Sequence, residues 1–173
     1  MMQDHIDFVV SQWDSAMPEL DASSMRIVGR MLRLMKHLAK ARSQALEQFD
    51  FHEGEFDVLA TLRRAGTPYC LSPTQLYTSL LVTSGAMTHR LKRLEQRGLI
   101  ARVASPDDKR SMLVGLTAQG QRCIEQALAV HTATQNAILA PLSRAERSAL
   151  EGMLKTLLLP FAGEAVTAAE EQD

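Results

Sequence analysis

The chain has 173 residues, of which 46% are apolar, 23% charged and 5% aromatic. That is the make-up of one soluble domain that needs neither disulfide nor metal staple. Few aromatics argue against a base-stacking platform for single strands, no run reaches the roughly 20 apolar residues of a membrane span, and acids in MMQDHIDFVV do not suit a secretory leader, so a cytoplasmic chain is the expectation. The net charge of -1 says nothing about nucleic acid, but its distribution does: residues 1–22 carry five acids and no Lys or Arg, whereas 89–110 carry seven cations against three acids. Local concentration of one sign is what a phosphate backbone senses.

From Ser24 to Phe49, Ile27, Met31, Leu34 and Leu38 recur at helical spacing, with Val28, Leu32 and Met35 widening the stripe, and the block from Arg26 to Arg42 holds six cations and no acid. This predicts a long helix with a broad apolar face. A second helix is predicted from Glu53 to Arg64, stopped by Gly66 and Pro68. Ser72, Pro73 and Gln75 form a capping box with proline in the first turn, and Leu71 and Leu76 are placed as a hydrophobic staple. That third helix is short, because Thr83 caps the next one. Two short helices in succession make a helix-turn-helix.

The helix from Ser84 runs to Arg97 and stops at Gly98. Leu99–Val103 and Met112–Leu116 read as strands joined by a turn that contains Ser105 to Arg110, and a hairpin directly after a helix-turn-helix is a wing. Thr117 caps a helix to about Ala137, and Ser143 with Glu146 opens another to about Phe161. The apolar faces of the long first helix and the last helix exceed what a small winged domain covers, which points to a subunit interface. The expected fold is mainly α, a winged helix-turn-helix domain with long N- and C-terminal dimerisation helices. Its parts are an N-terminal helical extension (1–22), a dimerisation and pocket helix (23–50), the DNA-binding domain (51–116), C-terminal dimerisation helices (117–163) and an acidic tail (164–173).

Stepping about 100° per residue along the helix from Ser84 brings Met87, Leu91 and Leu94 to one side, while Gly85, His89, Lys92, Gln96 and, at the margin, Arg93 face away. A free face that is small, polar and basic suits a major groove. Ser84, Thr88 and His89 are the candidates for base edges, Lys92 and Arg93 for phosphates. At the tip of the wing, Lys109 and Arg110 are candidates for phosphate or a narrow minor groove.

The run TSGAMTHRLKRLEQRGLIARVASPDDKRSMLVGLTAQG resembles the recognition helix and wing of the multiple antibiotic resistance regulator (MarR) family, with Lys109 where that family usually has arginine. The resemblance implies an obligate homodimer on a palindromic double-stranded operator, acting as a repressor and released by a small anionic or phenolic ligand. Gln12-Trp13, Met17 to Asp21, Val28-Gly29-Arg30, Glu55 to Leu59 and His89-Arg90 further resemble the urate-responsive branch. By position this implies ligand contacts from Trp13, Arg30, Asp57 and Arg90, with Arg26 one turn from Arg30 as the other candidate for its place. An aromatic wall and cationic donors suit a flat anion such as urate or a phenolate. The wheel puts Arg90 at the flank of its helix, and an anion that competes with Asp57 for Arg90 would shift that helix.

Other classes are disfavoured. His5, His37, His52, His89 and His131 show no metal-ligand spacing, and there is neither a glycine-rich phosphate loop nor a nucleophile elbow, so no enzyme, cofactor or metal is expected. A redox-sensing repressor is the alternative, because Cys70 precedes a capped helix whose positive end lowers a thiol pKa.

Overall fold

The computed structural model describes residues 3–52, 54–80, 82–105 and 111–161. They fall into two units, one up to Ala45 and one from Leu46 onward.

The first unit begins with α1 (His5–Ala16). Asp4 caps it by accepting from the Ile6 and Asp7 amides at 2.7 and 3.0 Å, while Asp7 accepts from the Asp4 amide at 3.0 Å. This reciprocal box fills two of the orphan donors of a helix start. Ile6, Val10 and Ala22 form a small core, and Gly29 admits Ile6: a Cβ there would stand 3.0 Å from the Ile6 Cδ1 atom. The helix that follows, α2 (Ser23–Leu46), is 24 residues long, or about 36 Å at 1.5 Å per residue. It carries the apolar stripe expected of it, yet Ile27, Val28, Leu32 and Met35 are all more than half exposed.

In the second unit a single 3-10 turn, Glu47–Phe49, is closed by Asp50 in the left-handed region. Then come α3 (Glu55–Arg64), β1 (Cys70–Leu71), α4 (Pro73–Leu80), α5 (Ser84–Gln96), β2 (Ile100–Ala104), β3 (Met112–Leu116), α6 (Ala118–Ile138) and α7 (Arg144–Leu158). The sheet is antiparallel in the order β1-β3-β2, with Leu71 opposite Val114 and Ile100 opposite Leu116. β1, two residues long, is too short for alternation to announce it, and it turns the expected hairpin into a three-stranded sheet.

The four predicted caps form. Ser72 and Gln75 exchange bonds of 2.8 and 3.1 Å, Thr83 and Thr117 each accept from the amide three residues on, and Ser143 and Glu146 close a second capping box. α5 ends in a Schellman turn: Gly98, at φ 68°, donates to the Glu95 carbonyl and Leu99 to that of Leu94. Leu99 is therefore spent on the helix end, and β2 starts one residue later than expected.

The core packs Phe56, Val58, Leu59 and Leu62 of α3 against Leu76, Met87, Leu91, Leu94, Ile100, Val114 and Ile124. Each fully buried leucine stabilises the fold by about 1.5–3 kcal/mol. α6 enters this core at its N-terminal half, where Gly120 lies so close to the Leu99 carbonyl that a Cβ would overlap it. α7 buries none of its residues. It stops at Leu158 and continues as a 3-10 turn through Phe161, because Pro160 brings no amide donor.

Candidate nucleic-acid interface

α4 and α5 form the helix-turn-helix. Leu76 of α4 is fully buried, and the amide of Val82 donates to the Tyr77 carbonyl at 3.3 Å, which closes the connection. α5 buries Met87, Leu91 and Leu94, the stripe that the helical wheel assigned inward. Ser84, Gly85, Thr88, His89, Lys92 and Gln96 are exposed, so one polar strip runs the length of the helix, roughly 20 Å. The Thr88 hydroxyl donates to the Ser84 carbonyl at 2.9 Å, which directs its lone pairs outward.

Arg93 has a different setting from the one expected for a phosphate contact. Its Nε atom donates to Glu55 Oε1 at 2.9 Å, and the Glu55 side chain is fully buried. Arg97 takes the other oxygen of that carboxylate, at 3.0 Å, and donates also to the Asp50 and Phe49 carbonyls at 2.7 and 2.9 Å. Neither Glu55 nor Arg97 belongs to a motif that marks it for this role in the sequence. The signal was there: Arg93 and Arg97 lie one turn apart on one flank of α5, and a glutamate in the first turn of a neighbouring helix is their natural partner.

In the wing, β2 and β3 pair from Ile100–Leu116 to Ala104–Met112, and the Ser105 amide donates to the Ser111 carbonyl at 2.9 Å. Arg102 stands on β2 with its Nε 4.0 Å from Glu95. Lys109 and Arg110 lie outside the described residues.

The residues carried over as ligand contacts are divided between the units. In the first, Trp13 is 39% exposed. Arg30 donates to Asp4 and Asp7 at 2.8 and 2.7 Å and to the Arg26 carbonyl at 2.9 Å. Asp7 is held below the ordinary carboxylate range chiefly by that guanidinium, and Asp4 chiefly by the Asp7 amide, while the two acids push Arg30 up. Arg26 shares Asp7 with it at 3.9 Å and lies 3.5 Å from Asp14. In the second unit, Asp57 is half-buried in the first turn of α3, and the Arg90 guanidinium lies against Gly54, where a Cβ would overlap it.

Cys70 is half-buried on β1 opposite Gly115, its thiol donating to the Pro68 carbonyl at 3.3 Å. Burial pushes the Cys123 thiol up, with Arg97 opposing. Among the described residues no cluster of three or more His, Cys, Asp or Glu could hold a metal ion, and no helix is long and apolar enough to cross a membrane.

Residues 51–112, which span the helix-turn-helix and most of the wing, match the MarR family. The HTH-type transcriptional regulator PecS of Dickeya dadantii (strain 3937) is 34% identical over 146 residues, covering 84% of this chain and 88% of that protein. The chain belongs to the MarR family. It is thus a DNA-binding transcriptional regulator, and MarR-family structures repeat its architecture. A mutant MarR from E. coli complexed with operator DNA superposes with a TM-score of 0.63 and 28% identity, covering 84% of this chain and 97% of that one. BpsR of Bordetella bronchiseptica, solved to explain regulation of its DNA binding by 6-hydroxynicotinic acid, gives a TM-score of 0.60 at 26% identity over 75% of this chain and 91% of its own.

Proposed function

We propose that this MarR-family regulator is a homodimeric repressor that grips a palindromic operator and is released from it by a small aromatic anion, with urate or a phenolic compound as the model ligands. The observation that carries the DNA half of this reading is the polar strip of α5, which is exposed along its whole length and backed by a fully buried apolar stripe. In this reading Ser84, Thr88 and His89 meet base edges, Lys92 meets phosphate, and Lys109 with Arg110 serve the wing. Arg93 leaves that set and holds α5 in place.

Dimerisation is supported by apolar surface that each unit leaves uncovered: the stripe of α2, and a groove of about 580 Å³ along α6 and α7 lined by Leu139, Leu150, Leu154, Leu158 and Leu159. Uncovered apolar surface on this scale marks an interface. The effector half is supported by the cations and the aromatic carried over by resemblance, Trp13, Arg30 and Arg90 with Asp57, and by BpsR, whose regulating compound is a flat aromatic acid.

Selection of bound duplexes from a random library, followed by titration of urate, salicylate and 6-hydroxynicotinate into the complex, tests both halves. A preferred palindrome, with affinity reduced roughly 5- to 150-fold by one of these anions, is the expected result. A library that yields no preferred sequence overturns the DNA half. Affinity unmoved by any of the anions overturns the effector half.

A further inference from the structure

Arg90, Arg93 and Arg97 step along one flank of α5; Arg90 and Arg97 meet the short segment that joins α2 to α3, and Arg93 meets Glu55, the first residue of α3. Arg90 lies against Gly54, its guanidinium standing where a Cβ would be. Arg93 and Arg97 share the two oxygens of Glu55, at 2.9 and 3.0 Å. Arg97 also holds the Phe49 and Asp50 carbonyls and lies 5.7 Å above the Phe51 ring, and Glu55 Oε2 accepts the His52 amide at 3.0 Å. One buried carboxylate and one guanidinium thus tie four consecutive segment positions, Phe49 to His52, to the flank of the helix beside its exposed strip.

This arrangement supplies what the apolar stripe of α5 cannot. Hydrophobic contact is non-directional, so Met87, Leu91 and Leu94 fix which side of α5 faces the core but hold its rotation about its own axis only loosely. Charge-assisted, forked hydrogen bonds are directional. A roll of roughly 20° moves a side-chain tip at the ~6 Å helix radius by about 2 Å, which takes a donor out of reach of a base edge. We propose that Glu55 and Arg97 are positioning residues that set the roll of α5, so that preference for operator over other DNA depends on them while affinity for unrelated DNA does not. The inference rests on the reading that the strip of α5 enters the groove.

The test uses the full chain and two conservative variants: Arg97→Lys, which keeps the charge and loses the fork, and Glu55→Gln, which keeps the shape and loses the charge. Affinities for the selected operator and for a scrambled duplex are measured by fluorescence anisotropy over a range of salt, below the melting temperature of each variant, with Lys92→Ala alongside. The expected result is a ratio of operator to scrambled affinity at least tenfold smaller in the positioning variants, with scrambled-duplex affinity and salt slope unchanged. Lys92→Ala, by removing a phosphate contact, lowers both affinities together and the salt slope by about 0.9. An unchanged ratio in whichever positioning variant folds overturns the proposal, as does a loss of salt slope in Arg97→Lys or in Arg97→Ala, which would put Arg97 on phosphate. If Lys92→Ala leaves the slope untouched, it is the docking of α5 that fails.

Discussion

Arg30 Nη2 stands 2.7 Å from Asp7 Oδ1, and with its bond to Asp4 this fastens α1 across the start of α2. The clasp explains why an acidic N-terminal segment precedes a basic helix: the acids of α1 neutralise the first cations of α2. Arg30→Gln is expected to loosen α1 alone. Hydrogen exchange should show faster amides over residues 5–16 and unchanged amides in α3, and the anisotropy of Trp13, the sole tryptophan, should fall. Unchanged exchange in α1 would mean that Ile6 and Val10 hold it unaided.

The same clasp sets a pH dependence with a definite sign. Asp4 and Asp7 both titrate below the ordinary value of 3.8 in the folded protein. Groups depressed by folding stabilise it fully above the unfolded pKa and lose that contribution as pH falls through the folded value. The clasp is therefore intact at neutral pH, starts to weaken only below about pH 4, and is gone once both acids are protonated. Because the pairs are exposed they are also screened by salt. A Trp13 titration in Asp7→Asn should lose most of the acid transition. An unaltered curve would assign the transition elsewhere.

Gly120 offers a sharper stability test. Its Cβ would strike the Leu99 carbonyl, a backbone atom fixed by the Schellman turn and by the Thr117 amide that donates to it at 3.1 Å. Gly120→Ala should cost about 2–3 kcal/mol through overpacking, or roughly 5–10 °C in melting temperature for a chain of this size. Gly85→Ala, with open space around it, should leave the melting temperature unchanged or slightly raised. Equal melting of the two variants would show that α6 can move away from the strand.

Most of the fold can be read in the sequence because local chemistry specifies it. Ser72, Thr83, Thr117 and Ser143 cap helices with side chains that reach only three residues, and the inward stripe of α5 follows from the helical period alone. Where an outcome depends on a second element, the reading stops short. The wheel gives the angle of Arg93 but not the buried Glu55 that α3 presents to it, and Arg97, at the helix end, finds its partners in Phe49, Asp50 and Glu55, which no helical period places. The left-handed Asp50 and the two-residue β1 leave no periodic trace. Of the residues carried over by resemblance as ligand contacts, Arg30 has its donors engaged by Asp4 and Asp7, so an effector that reached it would compete with those acids.

The uncovered face of α7 leads to a final prediction. Leu158 is 65% exposed and lines the groove between α6 and α7, so a carboxylate there costs the single subunit little. In a buried apolar interface the same carboxylate is unpaired and desolvated. Leu158→Glu is expected to leave subunit folding intact by circular dichroism while weakening self-association by about 2 kcal/mol or more, roughly 30-fold or greater, as read by sedimentation equilibrium. Operator affinity should fall in step with the dimer fraction, because only a dimer presents two α5 helices to two half-sites one helical turn apart. A Leu158→Glu protein that stays dimeric at the dilution where the parent does would move the interface away from α7, and one that dissociates yet binds operator as tightly would remove the need for a dimer.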